Sequence, residues 1–424
     1  MGSSKFKRYF QLILIVLAAG SIYPLIYLRS GYQETILSVF NISFEQLNIL
    51  YTVLGFVFVV GYFPSGLLCD KFSAKKLLFV SMAGTSAGGF WFAQVPSYTS
   101  VVLIFAIWGF FAVFTFWSAH MKLVKLISTS DTEGRFFGVL DGGRGLVEAV
   151  LASVAVIIFA RGLGGAETPE STEAALVGVI YMYSIVMAVV ALLVLFFVED
   201  DKKLIEAGGE VAERNKFRAK DLLEVFKNPL VLLMGGVIFC GYFLFWTYFY
   251  YGGFLQANVG ASAVTVAAVM AAAAWMRPVG GVIGGFLADK AGKGKVISAA
   301  LIGGALCLIL MSVLPTSGPA TIFFVLAIVG SLFVFAVRGT YWSILGDCKL
   351  DVKVLGAAIG FISLIGYLPD IIIPIIANFL FATFGDYGGY NAYFIASAVI
   401  GLCGVLFLAA FWRVAKKAAK AEKS

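Results

Sequence analysis

The chain has 424 residues, 61% hydrophobic and 13% charged, with a formal net charge of +7 and a mean hydropathy of +0.95. Soluble domains carry roughly 25% charged residues, so too few are present here to build a water-facing shell. One His and five scattered Cys exclude a disulfide scaffold, a zinc framework and a haem-attachment motif.

A membrane helix needs about 20 mostly apolar residues. In chain order such runs occupy 9–29, 46–68, 77–95, 99–121, 136–160 and 176–198, then 229–255, 262–288, 295–314, 319–346, 354–382 and 390–412. The runs are continuous and far longer than the alternating segments of about 10 residues expected of membrane β-strands. An all-α membrane protein with twelve transmembrane helices is predicted. The first run follows Lys5, Lys7 and Arg8 and continues through Ile22 to Leu28, past any cleavage site, so an uncleaved first helix is expected.

Lys and Arg fix the orientation. With the N-terminus cytoplasmic, the inner segments hold 26 of the 31 basic residues, four lie within or at the end of apolar runs, and Arg161 alone falls in an outer loop. Both termini are therefore expected inside, at the plasma (inner) membrane. The positive balance reflects this bias and an anionic inner leaflet, and it implies no nucleic-acid partner.

The longest polar stretch, Glu199 to Asn228, divides the spans six and six. The expected organisation is an N-terminal six-helix bundle (1–198), a cytoplasmic linker (199–228) acting as a plain connector, a C-terminal six-helix bundle (229–412) and a basic cytoplasmic tail (413–424). The halves repeat each other. GLLCDKFSAKKLL after helix 2 (Gly66–Leu78) matches GFLADKAGKGKVI after helix 8 (Gly285–Ile297), and similar stretches follow helices 4 and 10. Repeats at matching positions mark two pseudo-symmetric bundles.

The repeated G-x-L-x-D-[RK] loop resembles the signature of the major facilitator superfamily, which implies that fold over the whole chain. Tyr27–Lys71 and Gly356–Pro374, with the following FGDYGGYNAYF, further resemble the organophosphate–phosphate antiporter branch. That resemblance implies a substrate-facing Arg29. The branch's second substrate Arg has no counterpart in FWTYFYYGGFLQAN (Phe245–Asn258).

The loop signature suggests gating. Asp70 and Asp289 can accept hydrogen bonds from exposed N–H groups at a neighbouring helix start or pair with a cation. Lys71 and Lys290 stay at the headgroups. Such contacts are expected to latch the bundles together on the cytoplasmic side.

Ionisable groups inside a span are costly and persist where they face a cavity or a partner. The expected cations at membrane depth are Arg29 in the outer third of helix 1, Arg144 in helix 5, Arg277 in helix 8 and Arg338 in helix 10. The anions are Glu148 and Asp370, with Asp141 nearer the inner end. At a rise of 1.5 Å per residue, Arg144, Arg277 and Arg338 lie about 13, 18 and 13 Å from the inner ends of their helices. Arg144 and Glu148, four residues apart, can pair on one helix face, and Asp370 can pair with Arg338. Arg277 can instead satisfy carbonyls freed at Pro278, and Arg29 can snorkel to the interface.

Even with both pairs made, two positive charges remain, which predicts a bound anion. Guanidinium matches carboxylate or phosphate through two parallel N–H···O bonds. Tyr242 and Trp246, one turn apart in helix 7, with Tyr341 and Tyr367, are expected to complete the substrate site. Burial favours the protonated form of a carboxylate, which makes Glu148 and Asp370 the candidate proton carriers. His120 reads as an interface residue. Gly280, Gly281, Gly284 and Gly285 allow close helix approach.

The predicted function is secondary active transport of a small organic anion (a phosphate ester or carboxylate) by alternating access, through proton symport or anion exchange. The protein is expected to be a monomer with no cofactor, no metal and no enzymatic activity, and no phosphate-binding G-x-x-x-x-G-K-[ST] loop points to ATP. The alternative is a transport-fold sensor of an extracellular anion.

Overall fold

Lipid offers no partner to backbone N–H and C=O groups, so spanning segments must satisfy them internally. The computed structural model describes residues 2–128, 132–206, 225–348, 350 and 352–421, and it is helical throughout, with no strand among the described residues. The side chains of Asp70 and of residues 352–357 lie outside the described set, as does most of the expected linker (207–224).

The helices are α1 (Gly2–Ile26), α2 (Arg29–Phe40), α3 (Phe44–Lys71), α4 (Ala74–Phe92), α5 (Tyr98–Gly109), α6 (Trp117–Ile127), α7 (Glu133–Leu163), α8 (Pro169–Phe197) and the short α9 (Asp201–Glu206). They continue as α10 (Pro229–Trp246), α11 (Tyr248–Ala257), α12 (Ala263–Ala291), α13 (Lys293–Val313), α14 (Ala320–Thr340), α15 (Val352–Gly366) and α16 (Pro369–Ala421). Ten stretches among the described residues are long and apolar enough to cross a membrane. The predicted third span is present as α4, and the last stretch contains two predicted spans, because α16 bends at Gly385, whose φ is +71°.

The predicted spans are not all continuous. Helix 1 is interrupted at Tyr27–Leu28, so Arg29 opens a second helical segment within the one apolar stretch Phe6–Phe40. Helix 4 passes through a π-helical turn at Phe110–Thr115, helix 7 breaks at Thr247, and helix 10 tightens into a 3₁₀ segment at Tyr341–Cys348. Helix 11 breaks before Pro369, which cannot continue the hydrogen-bond ladder. With the six-helix repeat, helices 1 and 7 correspond, as do 4 and 10, so the irregularities recur in equivalent places. Side chains add hydrogen bonds to carbonyls at these irregularities. Tyr51 donates to Ile26 O (2.9 Å), Tyr23 to Ala112 O (3.2 Å), Thr247 to Leu244 O (2.7 Å), and Ser81 to Phe111 O.

The chain divides into two compact units, residues 1–212 with 262–275, and residues 213–261 with 276–424. In the first, a Cβ on Gly20 would lie 2.9 Å from Arg144 O, so α1 and α7 touch backbone to backbone. In the second, a Cβ on Gly280 would lie 2.7 Å from Leu332 O, and one on Gly339 would lie 3.1 Å from the Gly281 Cα. The small-residue face of α12 therefore presses directly on α14.

The start of the linker is not a plain connector. The Asp201 carboxylate accepts from the Ala74 N–H at 2.9 and 3.0 Å and from Ser73 Oγ at 3.2 Å, and it pairs with Lys122 at 2.7 Å. It thereby caps the exposed N–H groups of α4, the role expected of Asp70 or Asp289. Asp289 is exposed and makes no hydrogen bond or ion pair among the described residues. Asp70 lies in the undescribed set. Nearby, Lys7 donates to Glu199 at 2.6 Å and holds that carboxyl below the usual glutamate range. Losing a helix-capping acceptor costs about 0.5–2 kcal/mol. Asp201→Ala is expected to destabilise the protein by about that amount, read as a lower thermal midpoint in detergent, with Asp201→Asn intermediate. An unchanged midpoint for Asp201→Ala would remove the capping role.

Candidate functional site

The predicted substrate-binding and proton-coupling residues fall into three clusters, each within one unit.

The most elaborate lies in the second unit. The glycine contacts set α12 against α14 and bring Arg277, four residues before Gly281, close to the face that carries Arg338. Phe335 precedes Arg338 by three residues and therefore shares its face. The Arg277 guanidinium carbon lies 5.9 Å from the Phe335 ring, and that of Arg338 lies 4.4 Å from Phe245 and 5.2 Å from Tyr242. Phe335 and Phe245 are themselves 5.8 Å apart, and Tyr248 packs on both. Two guanidinium groups thus lie against one aromatic shelf built by α10, α11 and α14.

Asp370 borders this shelf. It occupies the first turn of α16, where a helix start favours negative charge, and it is only 1% exposed. Tyr242 Oη donates to Asp370 Oδ1 at 2.7 Å, and Trp246 Nε1 donates to the same oxygen at 2.9 Å. The expected Arg338–Asp370 ion pair is not made. The break before Pro369 turns Asp370 toward helix 7, and the Tyr242 ring links the two charges. Two charged atoms here, Asp370 Oδ2 and Arg338 Nη1, are buried without a hydrogen-bond partner among the described residues. Tyr367 packs edge-on against Tyr242 (4.8 Å) and accepts from Trp342 Nε1 at 3.1 Å. Tyr341 is 1% exposed and contacts Trp342 at 6.4 Å.

The second cluster lies in the first unit. Arg144 Nε donates to Glu148 Oε1 at 3.2 Å, the pair expected from their spacing. Its guanidinium lies 4.6 Å from the Tyr23 ring, which the close Gly20 approach brings over α7. Tyr23 meets Phe116 edge-on, and Phe116 stacks on His120 at 4.6 Å. His120 is 3% exposed and accordingly a packed core residue, not an interface residue. Its Nδ1 lies 3.1 Å from Phe116 O, so the ring is held by its own helix. By the repeat, helix 5 corresponds to helix 11. Glu148 and Asp370 therefore occupy equivalent helices; Asp370 accepts from Tyr242 of helix 7, and Glu148 pairs with Arg144, which lies against Tyr23 of helix 1.

Arg29 stands in a third setting. It is fully buried and does not snorkel. It donates to Asn48 Oδ1 (2.8 Å) and Gln33 Oε1 (2.6 Å), and its guanidinium lies 5.0 Å from Tyr51 and 5.8 Å from Phe44. Lys71 and Lys290 are exposed, and Lys290 folds back over Phe286 at 4.4 Å.

Sequence reasoning missed Phe335, Phe245 and Tyr23 as the rings against the arginines. The i, i+3 spacing of Phe335 and Arg338 was a usable signal, whereas the others meet their arginines only through tertiary contacts. No group of three or more potential metal ligands occurs among the described residues.

The model of the Major Facilitator Superfamily matches residues 9–374. The chain belongs to the major facilitator superfamily. As a member it is an integral membrane transporter. It is 25% identical over 422 residues to inner membrane protein YqcE of Escherichia coli (strain K12), covering 98% of this chain and 97% of that one. It is also 25% identical over 392 residues to inner membrane protein YihN of the same organism, covering 89% and 87%. Among solved structures, the nucleoside transporter NupG aligns with a TM-score of 0.72 at 12% identity, covering 96% of this chain and 99% of that one. A bacterial homologue of the human lysosomal transporter Spinster, inward-facing and occupied, aligns at 0.71 and 14% identity, with 96% of each chain covered. These two likenesses establish a shared major facilitator fold.

Proposed function

We propose that this superfamily member is a secondary transporter of a small organic anion, a carboxylate or phosphate ester. The supporting observation is the placement of Arg277 and Arg338 on one aromatic shelf, beside a single carboxylate already engaged by Tyr242 and Trp246. Guanidinium groups at membrane depth call for a counter-charge, and their planar donor forks suit an oxyanion. Arg338 is the principal anchor and Arg277 the second. Tyr341 and Tyr367 complete the site.

Arg144, with Glu148, forms the matching polar element of the first half. Arg29, enclosed by two side-chain amides and two rings, holds the break in helix 1. The resemblance to the organophosphate branch is compatible with this assignment, although Arg29 then plays a supporting part. Lys71 and Lys290 anchor the inner face, with both termini cytoplasmic in the inner membrane. Transport is by alternating access, and the protein is a monomer without cofactor.

Uptake of radiolabelled short carboxylates and phosphate esters into proteoliposomes tests the proposal. Uptake of at least one such anion, reduced by the other anions, is expected. Uptake confined to neutral sugars or cations would overturn it.

Glu148 and Asp370 are the proposed proton carriers. Glu148→Gln and Asp370→Asn are each expected to abolish uptake driven by an inward proton gradient while sparing anion exchange, measured as counterflow in the same vesicles. Wild-type uptake that ignores the gradient would remove symport and leave exchange.

A further inference from the structure

Tyr242 and Trp246 both donate to Oδ1 of Asp370, while Oδ2 of the same buried carboxylate has no hydrogen-bond partner among the described residues. Arg338 shows the reverse deficit. Its guanidinium faces the rings of Phe245 and Tyr242, and its buried Nη1 donates to nothing among the described residues. One side chain, Tyr242, touches both groups. An acceptor lacking a donor and a donor lacking an acceptor therefore flank one side chain, Tyr242.

Buried polar atoms are ordinarily satisfied, and a filled site must satisfy both. A plain oxyanion satisfies only Arg338, and it places a second negative charge beside the Asp370 carboxylate. A neutral donor satisfies only Asp370. A ligand that carries an oxyanion with a hydroxyl or ammonium group a few ångström away satisfies both at once, and its donor stands between the two negative charges.

We infer that the Arg338–Asp370 cluster is a two-ended subsite for an anion that carries its own hydrogen-bond donor, the oxyanion on Arg338 and the donor on Asp370 Oδ2. The inference rests on the anion-transporter reading and narrows it. Asp370 is then a specificity residue, ionised while the ligand is bound, which selects among ligands of equal size that share an oxyanion and leaves Glu148 as the proton carrier. Sites built to hydrogen-bond a ligand donor reject analogues that lack it, because a buried group is left unpaired.

The test uses two isosteric sets on the purified full-length protein, read as thermal stabilisation over a concentration series. The first set is 2-hydroxyethyl phosphate, 2-aminoethyl phosphate and propyl phosphate, and the second is 3-hydroxypropionate, β-alanine and butyrate. A hydrogen bond to a charged group changes affinity by roughly tenfold to a hundredfold. In at least one set, a donor-bearing member is expected to bind at least tenfold more tightly than the donorless one, and Asp370→Leu should erase that difference. Asp370→Asn keeps a neutral acceptor in the same shape. It should preserve discrimination for a hydroxyl ligand and abolish it for an ammonium ligand, which tells the two donors apart.

Equal binding of the donorless members overturns the inference and leaves anion recognition standing, since a proton on Asp370 would then serve in place of a ligand donor. Discrimination that survives Asp370→Leu also overturns it, as does the absence of any response to the four donor-bearing probes. Failure of every anion, these six and those of the uptake panel, overturns the transport reading on which it rests.

Discussion

Arg338→Gln is expected to lower anion uptake at least a hundredfold, and Arg338→Lys is not expected to restore it. Arg338 lies on α14 beside the face that the Gly280 and Gly339 contacts press against α12; its guanidinium meets ring faces, and the neighbouring Asp370 carboxylate is engaged by Tyr242 and Trp246 and not by an ion pair. Its charge is therefore available to an incoming oxyanion. Two parallel charge-assisted bonds, at about 1.5–3 kcal/mol each, correspond to a loss of roughly a hundredfold or more. Lysine keeps the charge but not the fork. Loss of the ring contacts costs the apo protein only about 0.5–2 kcal/mol. Uptake should therefore collapse in both variants while the unliganded thermal midpoint moves by a few degrees. Full activity in Arg338→Lys would show that a point charge suffices and would remove the planar-oxyanion argument.

Gly280→Leu is expected to produce the second large effect. The atom its Cβ would strike is a backbone carbonyl, Leu332 O at 2.7 Å, which has no rotamer to yield. The helices must separate, and overpacking of this kind costs about 1–3 kcal/mol. The functional loss should exceed what that destabilisation explains, because the same crossing aligns Arg277 with Phe335 and Arg338. Gly285→Ala is the control, since a Cβ there meets nothing within 4 Å. Ligand-induced stabilisation, measured for both variants, should vanish for Gly280→Leu and persist for Gly285→Ala. Intact ligand response in Gly280→Leu would separate the glycine crossing from the site.

The spans were legible because in lipid the backbone must close its own hydrogen bonds, so a long apolar run has little choice but helix. The breaks were less so. Pro369 announces one, but Thr247 and Tyr27–Leu28 sit inside apolar runs without a breaker, and carbonyls there accept from side chains such as Tyr51, 25 residues from Ile26. Arg29 lies within the apolar stretch Phe6–Phe40, as its position predicts, but opens a second helical segment there.

The charges inside apolar runs stand out by their cost alone, and the Arg144–Glu148 pair follows from helical spacing. Asp370 was found but given the wrong partner, because its true donors lie on a helix 124 and 128 residues earlier. The cap on α4 was invisible for the same reason. Asp201 reaches Ala74 across 127 residues from a stretch whose composition reads only as solvated charge. His120 was misplaced by its nearness to Lys122, when stacking on Phe116 buries it.

The most direct test compares an acid with its own uncharged amide. The wild-type protein and the Arg277→Gln, Arg338→Gln double variant are each titrated by calorimetry with the best-transported carboxylate and with its primary amide, which keeps the shape and removes the charge. Binding of the acid to the wild type alone, with no binding of the amide, is predicted. Comparable binding of acid and amide, or acid binding that survives in the double variant, would contradict the central role assigned to those two guanidinium groups.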